Sequence, residues 1–217
     1  MSPTTFDLSL SASHVRDCLA FVGREESRPI LNGVCIEPSG TLVATSGKAL
    51  LAVVSPEGNT AWNPTLTGAG DRAIAHRNVI IKFPRIPAWV EVITVKDVPA
   101  LSPADPIPLV AIYANRKGRS EFVTVTETWG PYPNWRAIVP RNVTSTAPVP
   151  AFDPEVLALL ALPSPAGSQT VRIFASPESI TGACVARWTD LPSHVAVLMP
   201  KVFRDWDATA PALPVGI

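Results

Sequence analysis

A strand followed by a helix and further strands, repeated along the chain, predicts an α+β fold of duplicated half-units. The pattern recurs at a spacing of about 70 residues, too long for a solenoid. Sheets are expected outside, with the helices sharing the inner face. The 24 prolines among 217 residues shorten helices and favour strands, turns and extended connections. Hydrophobic residues make up 47% of the chain, enough for one generous core and too many for a disordered chain.

The first half-unit opens with Thr5–Leu10, where Phe6, Leu8 and Leu10 alternate with polar residues as in a half-buried strand. Ser11 or Ser13 then caps a short helix to about Val22, its apolar face formed by Val15, Cys18, Leu19 and Val22. After a polar loop and Pro29, strands are expected at 30–37, 41–45 and 49–55. The second half-unit has a strand near 77–83. Its segment 87–95 reads equally as helix or strand by local propensity, and its place in the repeat favours helix. A Pro-rich connection then leads to a hairpin of strands 109–114 and 120–128, turning at 115–119. In the third, Ala151-Phe152 closes a strand, Asp153 caps a helix with Pro154 at its first position, and the helix runs through 155–162. Strands at 167–175, 179–187 and 194–198 complete it.

Formal net charge is zero, so no long-range field draws the chain to nucleic acid or membrane, and any DNA contact must be local. Cys18, Cys35 and Cys184 are odd in number, widely spaced and without a CxxC, which reads as reduced core residues. The first ten residues lack the basic and apolar regions of a signal peptide, and no apolar run approaches a membrane span. A soluble, cytoplasmic protein is expected. His14, His76 and His194 lie far apart without metal-ligand spacing, and no nucleophile or phosphate-loop motif is present. No enzyme activity, metal or cofactor is expected.

Three segments carry a resemblance. Ile30-Leu31-Asn32-Gly33-Val34 and then Leu42-Val43-Ala44-Thr45-Ser46-Gly47-Lys48-Ala49-Leu50 resemble the "LNG" strand and "L..ATDG.RL" of one family's middle domain. Tyr132-Pro133-Asn134-Trp135-Arg136-Ala137-Ile138-Val139-Pro140 is similar to its "FPDYRRVLP", and Val195-Ala196-Val197-Leu198-Met199-Pro200 to its closing "YVVMP". The family is the bacterial DNA polymerase III beta subunit, the DNA sliding clamp. The resemblance implies a clamp domain at 1–142 like the family's middle domain, a half-domain at 147–202 like the second half of its last domain, and a tail at 203–217.

By the same resemblance, a hydrophobic cleft takes the clamp-binding motifs of polymerase and other replication proteins. The matching positions are Leu31, Thr45, Gly47, Lys48, Leu50, Pro133, Ile138, Val197 and Met199. Ser46 and Ala137 stand where the family has an acidic and a basic residue, which implies an altered client preference. The family lines its hole with basic helices that touch DNA without reading sequence; Arg16, Arg24, Arg28, Arg85 and Lys96 are the corresponding candidates. Other implied partners are duplex DNA and a clamp loader.

A clamp ring holds twelve half-units from two chains. With three half-units per chain, four chains would supply twelve, so one expectation is a homotetrameric ring paired through the orphan half-units, and the other is a monomer or dimer whose third unit folds back on the first two. The alternative is a clamp-fold interaction protein that binds clients or loader without encircling DNA, a competitor or scaffold such as a phage or other mobile element would encode. The tail, with Phe203, Trp206, Leu213, Val215 and Ile217, would emerge beside the cleft, to cover its own chain or dock on a neighbour, with disorder as the plain alternative.

Overall fold

The computed structural model describes residues 7–54, 78–97, 109–128, 130–144, 150–163, 170–177 and 182–201. Strand β1 (Asp7–Ser11) leads into helix α1 (Ala12–Leu19), which stops earlier than expected and still buries Val15 and Cys18. The Ser11 hydroxyl does not cap the helix; it meets the Ser13 hydroxyl at 2.8 Å. Next come β2 (Val34–Ile36), β3 (Leu42–Thr45), β4 (Ala49–Val53) and β5 (Val79–Lys82). They are followed by β6 (Val92–Asp97), β7 (Leu109–Ala114) and β8 (Ser120–Thr128). Helix α2 (Pro154–Leu159) precedes β9 (Val171–Phe174), β10 (Cys184–Trp188) and β11 (His194–Leu198). Among the described residues no helix is long and apolar enough to cross a membrane.

All these strands join one antiparallel succession, β1-β6-β7-β8-β5-β2-β3-β4-β11-β10-β9. Three meanders stand out: β2-β3-β4, β6-β7-β8 and β9-β10-β11. The first two exchange strands, since β1 pairs with β6 and β5 with β2. The third is attached through β11, which pairs with β4 over Ala49–Val53. The three-stranded meander thus recurs along the chain, and the first two halves are interlocked rather than serial.

Three elements depart from the sequence reading, the simplest being Ala151-Phe152, which forms no strand before α2. The second half-unit has no helix in its described part: Pro87 to Val90 makes a single turn, and β6 follows as a strand between β1 and β7. Val90, Val92, Ile93 and Val95 are β-branched, and the strand buries Ile93 and Val95 completely, so propensity and burial together outweigh the repeat. The expected strand at 30–37 begins instead as a 3-10 turn, Pro29–Asn32. Proline suits the first position of such a turn because its ring fixes φ and the missing N–H needs no partner there.

Alternation along the strands creates two apolar faces. On one, Val34, Ile36, Leu42, Ala44, Leu51, Val53, Ala196 and Leu198 pack with Val15, Cys18 and Phe21, and Val156 of α2 with Leu160 just past it extends this main core. Asp153 caps α2 by accepting the Glu155 N–H at 3.1 Å, and the Trp188 indole N–H donates to the Leu160 carbonyl at 3.0 Å, fastening α2 to β10. On the opposite face Cys35, Val43, Leu50, Ala52, Ile80 and Val197 form a second cluster. Cys18, Cys35 and Cys184 are all buried and unpaired by disulfides, and burial pushes the Cys35 thiol up to about 12.

Gly33 explains the "LNG" string physically. A Cβ there would lie 2.9 Å from Ile80 Cγ2 and 3.0 Å from the Ile81 carbonyl oxygen, so β2 reaches β5 only because this residue has no side chain. Gly33→Ala is expected to lower unfolding free energy by about 1–3 kcal/mol, read from urea denaturation. An unchanged midpoint would show that the β2–β5 contact tolerates the extra carbon.

Candidate functional site

The second apolar face carries a row of residues set by strand register alone. Thr45 stands opposite Leu50, Leu50 opposite Val197, and Val197 opposite Val185, so four strands place these side chains side by side. One step further along β11, the Met199 N–H donates to the Lys48 carbonyl at 3.0 Å. Met199 shares the face of Val197 by alternation, and is 41% exposed.

The segment after β8 covers part of this row. Tyr132 and Trp135 are buried against Leu50, Val197, Val43 and Cys35, and Val139 and Ala183 pack at the margin. The segment is held by one carboxylate. Glu37, just past β2, accepts the Trp135 indole N–H at 2.9 Å and the Arg136 guanidinium through both oxygens at 2.6 and 2.7 Å. Arg136 also lies over the Trp135 ring, 4.4 Å from its centroid. Burial alone would raise the pKa of Glu37. The hydrogen bonds from Arg136 and Trp135, with the Arg136 charge, outweigh it and leave the carboxyl below its ordinary value. Beyond this clamp a cavity of about 460 Å³ opens, walled by 136–142 on one side and by Ser176, Gly182 and Ala183 on the other.

Of the sequence-predicted cleft residues, Ile138 lines this cavity, while Thr45, Leu50 and Val197 lie in the strand row next to it. Leu50 and Val197 are paired and buried at 2% and 1% exposure. Ile138 lines the cavity and is 45% exposed, and Pro133 is exposed between the two buried aromatics. Gly47 and Lys48 form the exposed tip of the β3–β4 hairpin, where Gly47 takes φ +85°. The Thr45 hydroxyl is consumed by that turn: it donates to the Ala49 carbonyl at 2.8 Å and accepts the Gly47 N–H at 3.0 Å. Leu31 does not join the cluster; it packs beside Gly23, while its neighbour Ile30 packs against the cluster's edge. Both residues lie in the 3-10 turn Pro29–Asn32, where the two-residue alternation of a strand does not hold. Glu37 and Trp135 are the residues that sequence reasoning missed as a pair; they lie 98 positions apart and share no local signal.

The five DNA-contact candidates do not form one surface. Arg16 is half-buried and donates to the Val90 carbonyl. Arg85 is exposed, and together with Arg16 it lines a second cavity of about 550 Å³ beside α1. Arg24 is exposed in the following loop. Arg28 forms an ion pair with Glu25 at 3.6 Å and approaches Gly47, on the hairpin tip. Lys96 alternates with the buried Val95 and so points away from the main core that α1 covers.

The second cavity also gathers groups that the sequence left scattered. His194 is 1% exposed, with Nε2 at 3.1 Å from Asp17 Oδ2 and Nδ1 at 3.0 Å from the Ser193 hydroxyl. His14 lies edge-on to it at 5.5 Å between ring centroids. Burial, and then the neighbouring His194, lower the His14 pKa to about 4. The Ser193–His194–Asp17 chain ties β11 to α1. With both ring nitrogens of His194 engaged and the residue sealed, it reads as a structural tie. Among the described residues no group of three or more His, Cys, Asp and Glu is placed to hold a metal.

Glu37→Ala should cost about 1–3 kcal/mol by stranding the Trp135 N–H and releasing Arg136, with a red shift of tryptophan emission at neutral pH. Because the folded-state pKa of Glu37 is lowered, its contribution is present above the unfolded value near 4.5 and is lost as pH falls through the folded value. The variant should therefore lose less stability than the wild type on acidification below pH about 4.5. Equal acid sensitivity in urea melts would mean the clamp carries no such linkage.

No family model matches the sequence, and no curated protein matches it. Solved structures do. The DNA polymerase III beta-subunit sliding clamp of Pseudomonas aeruginosa, bound to griselimycin, aligns at 15% identity and TM-score 0.54, over 94% of this chain and 67% of that one. The DNA polymerase sliding clamp of Caulobacter crescentus gives 14% and 0.54, over 94% and 67%. The Thermotoga maritima beta subunit gives 11% and 0.54, over 94% and 66%. The chain spans about two thirds of the length of these clamps. With its long antiparallel sheet, few helices and strand-exchanged halves, it has the fold of the bacterial DNA sliding clamp.

Proposed function

We propose that this chain is a clamp-like recruitment factor, without enzymatic activity, that captures short apolar peptides of polymerase or other replication proteins. The observation that carries this reading is the β4–β11 register. It puts Leu50 beside Val197 in an apolar row with the exposed Met199 one step beyond, and a cavity of about 460 Å³ lined by the exposed Ile138 adjoins that row through Val139 and Ala183. The aliphatic and methionine side chains of the row suit Leu and Phe anchors. Burying two such anchors contributes roughly 3–6 kcal/mol before ordering costs, which fits a reversible partner. On this reading residues 1–142 act as a clamp domain and 147–202 as a half-domain, with four chains closing a ring around duplex DNA and a loader to open it.

A specific observation favours the second reading, a clamp-fold protein that engages clients or loader without encircling DNA. Of the five basic candidates, Arg16 is committed to a backbone carbonyl, Arg28 is paired with Glu25, and Lys96 lies off the helix-bearing face. Phosphate contacts dominate the affinity of sequence-independent DNA binding, so so few available cations support weak holding at best.

Ile138→Glu with Met199→Glu should weaken binding of a fluorescein-labelled pentapeptide bearing a Leu-Phe pair by about ten-fold or more. Both residues are exposed, so urea stability should stay at the wild-type value; unchanged peptide affinity would remove the cleft from the mechanism. For DNA, the ring reading expects retention on nicked circles and loss on linearisation. Equal retention on both forms, or none, supports the second reading.

A further inference from the structure

The sheet face that carries the apolar row ends on one side in a pair of arginines. Arg187 of β10 stands opposite Arg172 of β9, and Val195 of β11 stands on the other side of Arg187. Val171, Ile173, Ala186 and Trp188 alternate with the two arginines and pack into or against the main core. Both arginines therefore project on the opposite face, and both are exposed. Like charges directly opposed across strands repel. Neither arginine forms an ion pair among the described residues. Two guanidinium groups set side by side without an anion are complementary to carboxylates, which they bind through charge-assisted hydrogen bonds.

Strand geometry fixes how far this pair lies from the proposed cleft. On β9, Phe174 shares the face of Arg172 by alternation and is half-buried, and Ser176, four residues from Arg172, walls the cavity of about 460 Å³. On β10, the cavity wall at Ala183 stands four residues from Arg187. On β11, the exposed Met199 stands four residues from Val195, the neighbour of Arg187. All three strands give the same offset, about 13 Å between the apolar end of the face and its cationic end. An extended peptide covers that distance in about four residues.

We infer that Arg172 and Arg187 bind the acidic flank of a partner peptide. Its Leu or Phe anchors lie at the apolar end, near Met199 and Ile138, and one or two carboxylates about four residues away meet the arginine pair. This rests on the reading of the cleft as a peptide site and names the chemistry of its partner, an apolar pair with Asp or Glu at that spacing. A neutral flank leaves the two cations uncompensated, and a basic flank adds a third positive charge beside them. The face thus selects both the charge of the flank and its distance from the anchors.

The test measures fluorescein-labelled peptides on the full-length chain by anisotropy. They are the Leu-Phe pentapeptide and longer forms with Asp-Asp, Asn-Asn or Lys-Lys set one or four residues from the Leu-Phe pair, on either side. At four residues on one side, Asp-Asp should bind about three- to ten-fold more tightly than Asn-Asn, and Lys-Lys more weakly. In the Arg172→Glu/Arg187→Glu chain that order should reverse, with the unflanked pentapeptide bound as by the wild type. Equal affinity for the three flanks, an acidic preference that survives the charge reversal, or one as strong at one-residue spacing overturns the inference and leaves the cleft standing. No binding of any Leu-Phe peptide overturns the cleft reading and the inference with it. A short DNA duplex whose affinity falls on charge reversal, while that of the acidic peptide does not, makes the pair a phosphate contact and also overturns it.

Discussion

Five residue pairs between β4 and β11, from His194↔Val53 to Leu198↔Ala49, join the third meander to the rest of the sheet. The arrangement of the cleft follows from that pairing. Because the side-chain period of a strand is two, a slip of one residue would turn Val197 and Met199 toward α1 and bring Ala196 and Leu198 out to the cleft. The register is fixed from both sides: Ala196 and Leu198 fill the main core, while Val197 fills the second cluster. His194, bonded to Asp17 of α1, anchors the start of the same strand.

The second constraint is the Glu37 clamp. A buried carboxylate costs desolvation energy unless it is fully bonded. Here the indole N–H and a two-oxygen guanidinium contact meet that need, and in doing so seat residues 132–140 over the sheet. Without that segment Leu50 and Val197 would lie open on a bare sheet face; with it they are covered, while Ile138 and Met199 stay exposed. A network that stabilises the fold thereby also shapes the surface a peptide would meet.

How far the sequence reveals these features depends on the range of the forces involved. The β7–β8 hairpin was legible to the residue, since Asn115 and Gly118 carry the turn chemistry locally: the Asn115 carboxamide accepts the Lys117 and Arg119 N–H groups, and Gly118 takes φ +86°. Asp153-Pro154 marked the start of α2 for the same reason. Segment 87–95 was misassigned as helix because the repeat was weighted above its β-branched composition. Leu31 was placed in the cleft by its position in the resembling string, and within the turn Pro29–Asn32 it is Ile30 that packs against the second cluster.

By itself, the sequence determined the local units: the short capped helix α2, the alternating strands, the tight turns, and the apolar residues that must be buried somewhere. It also held strings whose order resembles a clamp chain. Only the tertiary structure decided that β1 and β5 exchange places between halves, that Glu37 meets Trp135 and Arg136, that His14 and His194 face one another, and that Lys96 points away from the helix-bearing side. Local propensity acts over a few residues through backbone sterics and turn hydrogen bonds. Strand order, register and buried polar pairs are set by contacts between residues tens to a hundred positions apart, and no single stretch of sequence contains both members of such a pair.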